Sequence, residues 1–342
     1  MPVEKASPYK QRSFYSIKST LFSFNPLILL KFFEGLKKMN SVVQVSENNE
    51  QIRPSKLKDY FTLAKANLSF MVVYSSLIGY YFAPGVFFSI KEALILAIGG
   101  SLITISANII NQILEKESDK FMRRTQNRPL PGGRIGVTEA WIIVFVTGTL
   151  GVVGISFFFN FFAGMLGLLS LLLYGFAYTP MKKIHPIATF IGAIPGALPP
   201  LIGWVAATNS LFAWSDMGGW SLFLIQFFWQ FPHFWAIAWL GYDDYVKAGI
   251  RMLPTTGGEK SRQAGLQSMY YCLTLIPVSM LPYAINLTGT LSLYLVIALG
   301  AAYFTASVLF YTRSDNSSAK GLMYTSFFYL PLVLLALLYD KI

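Results

Sequence analysis

The chain has 342 residues, 54% of them hydrophobic and only 13% charged, with a formal net charge of +11 at pH 7. Soluble domains carry about 25% charged residues, so this composition, with a mean hydropathy of +0.51, excludes an ordinary soluble globule and indicates a chain that crosses a membrane many times. The basic residues are scattered among apolar runs, which argues against nucleic-acid binding, and the single cysteine, Cys272, excludes a disulfide framework or a CxxC site.

Residues 1–60 read as a basic N-terminal extension, cytoplasmic or interfacial, ahead of an intramembrane domain over 61–342. "FNPLILLKFF" (Phe24–Phe33) is too short to cross a bilayer and is interrupted by Pro26 and Lys31, which fits an interfacial segment. Residues 1–40 are also rich in Lys, Arg and Ser and poor in acids, the composition of a mitochondrial targeting peptide. No small-residue cleavage site follows a clear apolar core, so a secretory signal is not expected.

Nine apolar windows then follow, at roughly 67–83, 93–113, 138–157, 160–178, 187–207, 219–240, 268–286, 291–312 and 321–339. They predict an all-α, nine-helix transmembrane bundle. Pro195, Pro199 and Pro200 are expected to interrupt the fifth span and Pro232 the sixth, where neighbouring protein or a polar cavity must satisfy the freed backbone groups. The basic residues set the orientation. Lys and Arg crowd the N-terminal segment and the connections after spans two, four, six and eight, whereas the odd connections hold almost none beyond Lys91. This pattern places the N-terminus and every even connection inside. The short extension with "SENNEQ" favours a bacterial cell membrane, with a mitochondrial inner membrane as the alternative.

The second span ends in "NQILEKESDKFMRRTQNRPLPGG". On a helix, Asn111, Glu115 and Asp119 share one face at i, i+4 and i+8, and Asn108 extends it. Two carboxylates and an amide oxygen suit Mg²⁺, which usually completes its shell with water and phosphate oxygens. Arg123, Arg124 and Arg128 add forked donors for phosphate. A solvated loop of mutually paired charges accounts for Lys116, Glu117 and Lys120, but polar residues at the buried end of a span are costly and usually functional. A second cluster ends the sixth span: His233 beside Pro232, then Asp243, Asp244 and Lys247. Asp243 and Lys247 can pair at i, i+4; Asp244 has no such partner and is the better metal candidate, with Asp243 the alternative. His233 fits a packed core histidine and a cavity-facing one equally.

The segments "NQILEKESDKFMRRTQNRPL", "AYTPMKK", "GALPPLIGW" and "WQFPHFWAIAW…DDYVKAGIRMLP" resemble, in order over about residues 57–340, the UbiA-type intramembrane prenyltransferases, and among them the branch that farnesylates haem b. The resemblance implies a bundle around a central cavity, with two acidic motifs facing each other through Mg²⁺ and a diphosphate. It implies farnesyl diphosphate as donor, haem b as acceptor and haem O as product for terminal oxidases. A haem A synthase or oxidase-assembly proteins would be further partners besides the lipid bilayer. By position, Asn111, Glu115, Asp119 and Asp244 would serve the metal, and Arg124, Arg128, Lys182, Lys183, Lys120 and Lys247 the diphosphate. His233 would hydrogen-bond a water, contact a propionate or ligate the iron, and Phe227, Phe228, Trp229, Phe234 and Trp235 would line the prenyl pocket.

This sequence departs from the family pattern at several points. Glu115 replaces the usual Asp, Asn67 stands in "AKAN" where a basic residue is common, and His185 and Pro186 follow the basic pair. The second motif lacks the paired DxxxD of quinone-forming relatives, with Trp239 four residues before Asp243. An aromatic prenyltransferase for quinone precursors is the nearest rival. A secondary transporter would place its site near the bilayer midplane and show internal repeats, and a structural assembly factor would give Glu115 and Asp119 no reason to share a face.

Overall fold

The computed structural model describes residues 55–254 and 259–342, with the backbone alone at 66–68. The stretch Phe24–Phe33, most of the expected extension and the side chain of Asn67 lie outside the described residues. The described chain is helical, and its one named β-bridge joins Thr288 to Lys341.

The principal elements are α1 (Lys56–Ala64), α2 (Ala66–Phe82), α3 (Ile90–Leu114) and α4 (Val137–Phe158), then α5 (Phe161–Met181), α6 (Ala188–Thr208) and α7 (Met217–Leu240), and finally α8 (Gln263–Ala284), α9 (Thr290–Arg313) and α10 (Asn316–Tyr339). Side-chain caps start several of them. Ser89 accepts from Glu92 N at 3.4 Å, Asn160 from Ala163 N at 2.9 Å and Asp315 from Ser318 N at 2.7 Å, each satisfying a donor that has no partner within its helix. Asn160 also donates to the carbonyl of Val205 at 2.7 Å, so one side chain sets the α4–α5 turn and holds the end of α6.

Among the described residues seven helices are long and apolar enough to cross a membrane: α3, α4, α5, α6, α8, α9 and α10. They become eight if Lys56–Ala64 and Ser69–Phe82, bent by 48° at a short break, form one span. The expected count of nine included α7. That helix has 24 residues, but four tryptophans, Gln226, Gln230 and His233 lower its apolar average. Its place in the bundle supplies what composition does not, because α7 packs on α6, α8 and α10.

The expected interruptions at proline do not occur: α6 and α7 run unbroken through theirs. Pro199 and Pro200 have no N–H, so the carbonyls of Pro195 and Gly196 lose their i+4 donors. Ser170 of α5 donates to the Pro195 carbonyl at 3.2 Å, and Gln226 of α7 to the Gly196 carbonyl at 2.7 Å. Neighbouring helices thus satisfy the groups the prolines free, and the helix is the most buried of the seven spans.

Where α2 crosses α6, the backbones touch. A Cβ on Gly203 would lie 1.9 Å from the Ser76 carbonyl oxygen, and one on Gly79 would lie 1.9 Å from that of Pro200. Small residues permit such approaches between membrane helices, where van der Waals contact replaces the hydrophobic drive. Gly203→Leu should therefore sharply reduce the yield of monodisperse protein and its thermal midpoint in detergent. Gly321→Leu, at a position with nothing within 4 Å of the added Cβ, should behave as the unmodified chain; equal behaviour of the two variants would contradict the crossing.

Candidate active site

Three connections meet at one end of the bundle. The segment after α3 joins the one after α5 through Lys182 and Glu115, whose Nζ and Oε1 are 2.7 Å apart. The loop after α7 joins them through the backbone, where Arg251 N donates to the Lys182 carbonyl at 2.6 Å and Thr189 Oγ1 to that of Met252 at 3.3 Å. The α1–α2 junction lies at the same end: Lys65 Nζ donates to Asn111 Oδ1 at 3.0 Å and Gln112 Nε2 to the Leu63 carbonyl at 2.7 Å. Three of the connections that charge alone grouped on one side of the membrane, those after spans two, four and six, are in contact.

Within this cluster Asn111, Glu115 and Asp119 are buried, at 2%, 5% and 0% exposure. Helix α3 ends at Leu114, and a one-turn helix, Lys116–Asp119, continues the stripe past Glu115. Each carboxylate has a base. Arg128 Nη1 meets Asp119 Oδ2 at 2.7 Å, as Lys182 meets Glu115. Asn111 also donates to Thr179 Oγ1 at 3.2 Å, while the Lys182 ammonium sits 4.4 Å from the centre of the Tyr178 ring. Tyr178 closes a π-helical stretch, Leu173–Tyr178, that ends just before Pro180; such one-turn widenings recur at functional sites.

Burial alone would push the Glu115 carboxyl upward, but Lys182, Lys65 and Asn111 outweigh it and hold Glu115 below the ordinary glutamate value. Asp119 goes the other way: burial exceeds the help from Arg128 and leaves its pKa raised. The reason is visible in the contacts, since Asp119 Oδ1 is buried without a hydrogen-bond partner. Burial opposes the charge on Lys182, yet Glu115 more than offsets this and its pKa is raised. A buried acceptor with no donor, beside a glutamate and an amide oxygen, is the donor set a hard divalent cation fits. Among the described residues no group of three His, Cys, Asp or Glu side chains is placed to hold a metal ion; Mg²⁺ held by fewer protein carboxylates usually completes its shell with water and phosphate.

The other sequence-predicted residues are placed less centrally. Asp243 is exposed and Asp244 half-buried on the short helix Tyr242–Lys247; the expected Asp243–Lys247 ion pair is not formed. Lys120 pairs with Glu117 at 2.7 Å on the exposed side, because it follows Asp119 directly and so points about 100° away around the helix. Arg124, Lys183 and Lys247 are exposed, and His185 closes a turn by accepting from Ile187 N at 3.1 Å. His233 is buried in α7, stacked on Trp229 with ring centres 4.9 Å apart and 2.7 Å from Ser326 Oγ of α10. Of the aromatics expected to line a pocket, Phe228 and Trp235 pack on Tyr271 of α8, and Phe227 on Phe190 and Phe231.

Sequence reasoning missed Lys65, Thr179 and Tyr178. "AKAN" was weighed for Asn67, yet Lys65 in the same four letters is the base that reaches Asn111. Its backbone is left-handed, with φ 49°, a conformation non-glycine residues seldom adopt and one that no composition signal announces.

Residues 72–332 match the family model described as the UbiA prenyltransferase family. The protoheme IX farnesyltransferase of Cytophaga hutchinsonii is 44% identical over 291 residues, covering 84% of this chain and 99% of that protein. Among solved structures, a digeranylgeranylglyceryl phosphate synthase is similar in fold, with a TM-score of 0.69 and 23% identity over 83% of this chain and 98% of its own. So is a UbiA homologue from Archaeoglobus fulgidus bound to GPP and Mg²⁺, with a TM-score of 0.58 and 17% identity over 82% and 99% of the two chains. With the matched region spanning α2 to α10, the chain belongs to the UbiA prenyltransferase family.

Proposed function

We propose that the chain transfers a farnesyl group from farnesyl diphosphate to a vinyl group of haem b, with addition of water, in a Mg²⁺-dependent reaction that yields haem O. The observation that carries the reading is the buried pairing of Glu115 with Lys182 and Asp119 with Arg128 around Asn111. The substrates follow from the relative that is 44% identical over most of both chains and named protoheme IX farnesyltransferase.

Glu115, Asp119 and Asn111 Oδ1 would hold Mg²⁺, with Asp244 or Asp243 approaching from the second motif. Bound there, the ion supplies Lewis-acid neutralisation of the leaving diphosphate. Lys182 and Arg128, freed from their carboxylates, and Lys65, freed from Asn111, turn to the diphosphate oxygens. Such prearranged charge stabilisation is often the largest catalytic contribution. Lys120, Arg124, Lys183 and Lys247, exposed around this end, extend the basic field that draws an anionic donor in. The haem vinyl π-bond would attack the farnesyl carbon as the diphosphate leaves, and water would add to the resulting cation and release one proton to solvent, leaving a hydroxyl. The enzyme works in the cell membrane with its N-terminus and both acidic motifs on the cytoplasmic side, and residues 1–60 form an extension there.

Purified protein given haem b, farnesyl diphosphate and Mg²⁺ should form a porphyrin heavier by one farnesyl group and one hydroxyl, read by mass. Prenylation of a quinone precursor with haem left unchanged would replace this reading with the rival. Asp119→Ala should abolish that product while the helical circular-dichroism signal and detergent elution are retained; activity surviving at ordinary Mg²⁺ would remove the metal role. For sidedness, Gln126→Cys should react with an impermeant thiol reagent only from the cytoplasmic face and Phe212→Cys only from the opposite face. The native Cys272 is buried and silent. Labelling of both positions from one face would break the topology.

A further inference from the structure

His233 and Ser326 stand on α7 and α10, and their side chains meet at 2.7 Å between Nδ1 and Oγ. A serine hydroxyl has one hydrogen to give. Ser326 Oγ also lies 2.5 Å from the carbonyl of Met323, which can only accept, and Tyr303 is a further hydrogen-bond partner of the same side chain, so the geometry directs the hydroxyl hydrogen away from His233. Oγ therefore faces His233 with a lone pair, and Nδ1 carries the hydrogen between them. The ring is packed against Trp229, Phe234 and Phe327, and no charged group acts on it. An imidazolium ion would be costly in such surroundings. A neutral imidazole has a single N–H; with that hydrogen held on Nδ1, Nε2 is a bare lone pair. Among the described residues no hydrogen bond to Nε2 is formed, which leaves its lone pair for a ligand.

The support around Ser326 is rigid. Its side chain is wholly buried, its carbonyl accepts from Trp229 Nε1 at 2.8 Å, and the Trp229 carbonyl accepts from Tyr303 of α9 at 3.2 Å. Three helices thus hold the two residues in register.

We propose that Ser326 is a positioning residue that locks His233 in the Nδ1–H tautomer, so that Nε2 binds the iron of the porphyrin acceptor; this rests on the haem reading above. Metal-binding imidazoles characteristically donate their other N–H to an oxygen acceptor, as Nδ1 does here. A propionate would meet lone pair with lone pair at Nε2, which removes that role. His233 lies seven residues inside the end of α7 at Leu240, about 10 Å along the axis. That depth suits the centre of a broad porphyrin plate better than a water at the vinyl edge, which reacts beside the diphosphate.

The test is a haem b titration of the purified wild type, Ser326→Ala, His233→Gly and the double variant, reading affinity and the ligand-sensitive Soret band. His233→Gly should lose the imidazole-ligated spectrum. Ser326→Ala should weaken haem binding about tenfold and shift the band in the wild-type background, yet change nothing further in the His233→Gly background. A merely structural serine would weaken both backgrounds alike. Mg²⁺-dependent farnesyl diphosphate binding, measured in parallel, should be retained throughout and reports folding. Equal losses in both backgrounds, or an unaltered spectrum and affinity in Ser326→Ala, overturn the proposal. If the wild type itself neither binds nor converts haem, the haem reading fails; if it does both and Ser326→Ala matches it, only the tautomer lock fails.

Discussion

Two carboxylates buried at the end of an apolar helix set the terms for the rest of the structure. Taking an ion out of water costs several kcal/mol even after relaxation, and removing one partner of a buried pair costs about 3–5 kcal/mol. Glu115 and Asp119 meet this constraint with Lys182 and Arg128. The bases come from two connections, Arg128 from the loop after α3 and Lys182 from just past the end of α5, so satisfying the charges draws both onto one spot. Under the proposed function the bases would stand where the cation binds beside the carboxylates, and the carboxylates where the diphosphate binds beside the bases. Metal and diphosphate arriving together would then exchange partners without leaving a bare charge behind.

The second constraint is backbone satisfaction inside the bilayer. Helix α6 carries three prolines and is still the most buried span, because Ser170 and Gln226 reach across to carbonyls that two of those prolines free. The same crowding leaves no room for a Cβ at Gly203 or Gly79. A helix thus fixed on three sides gives the neighbouring α5 and α7 a rigid wall. The site residues at their ends, Thr179 and Lys182 on one and Tyr242–Lys247 after the other, inherit that rigidity.

Much of this was legible in the sequence because apolar windows and basic connections act locally. Each predicted window falls on a helix, and three of the four basic connections that the charge alternation grouped prove to touch. The i, i+4, i+8 stripe of Asn111, Glu115 and Asp119 survives although the helix is interrupted at Glu115, since the one-turn helix after it keeps nearly the same phase. What was not legible depends on contacts distant in sequence. Lys65 reaches Asn111 through a left-handed bend 46 residues away, and His233 meets Ser326 across 93 residues. Helix α7 was legible as an apolar window although its polar residues lower its apolar average, and these face other helices: Gln226 and Gln230 bond to α6 and His233 to α10.

Exchange of partners at the buried carboxylates predicts that metal and diphosphate bind together. The direct measurement is calorimetric titration of an unreactive thiodiphosphate analogue of the farnesyl donor, with and without Mg²⁺, in the absence of haem. Binding should be strong with Mg²⁺ and weak without it, and the same titration of Mg²⁺ should depend equally on the analogue, as linkage between two ligands requires. Equal affinity for the analogue in the presence and absence of Mg²⁺ would contradict the exchange.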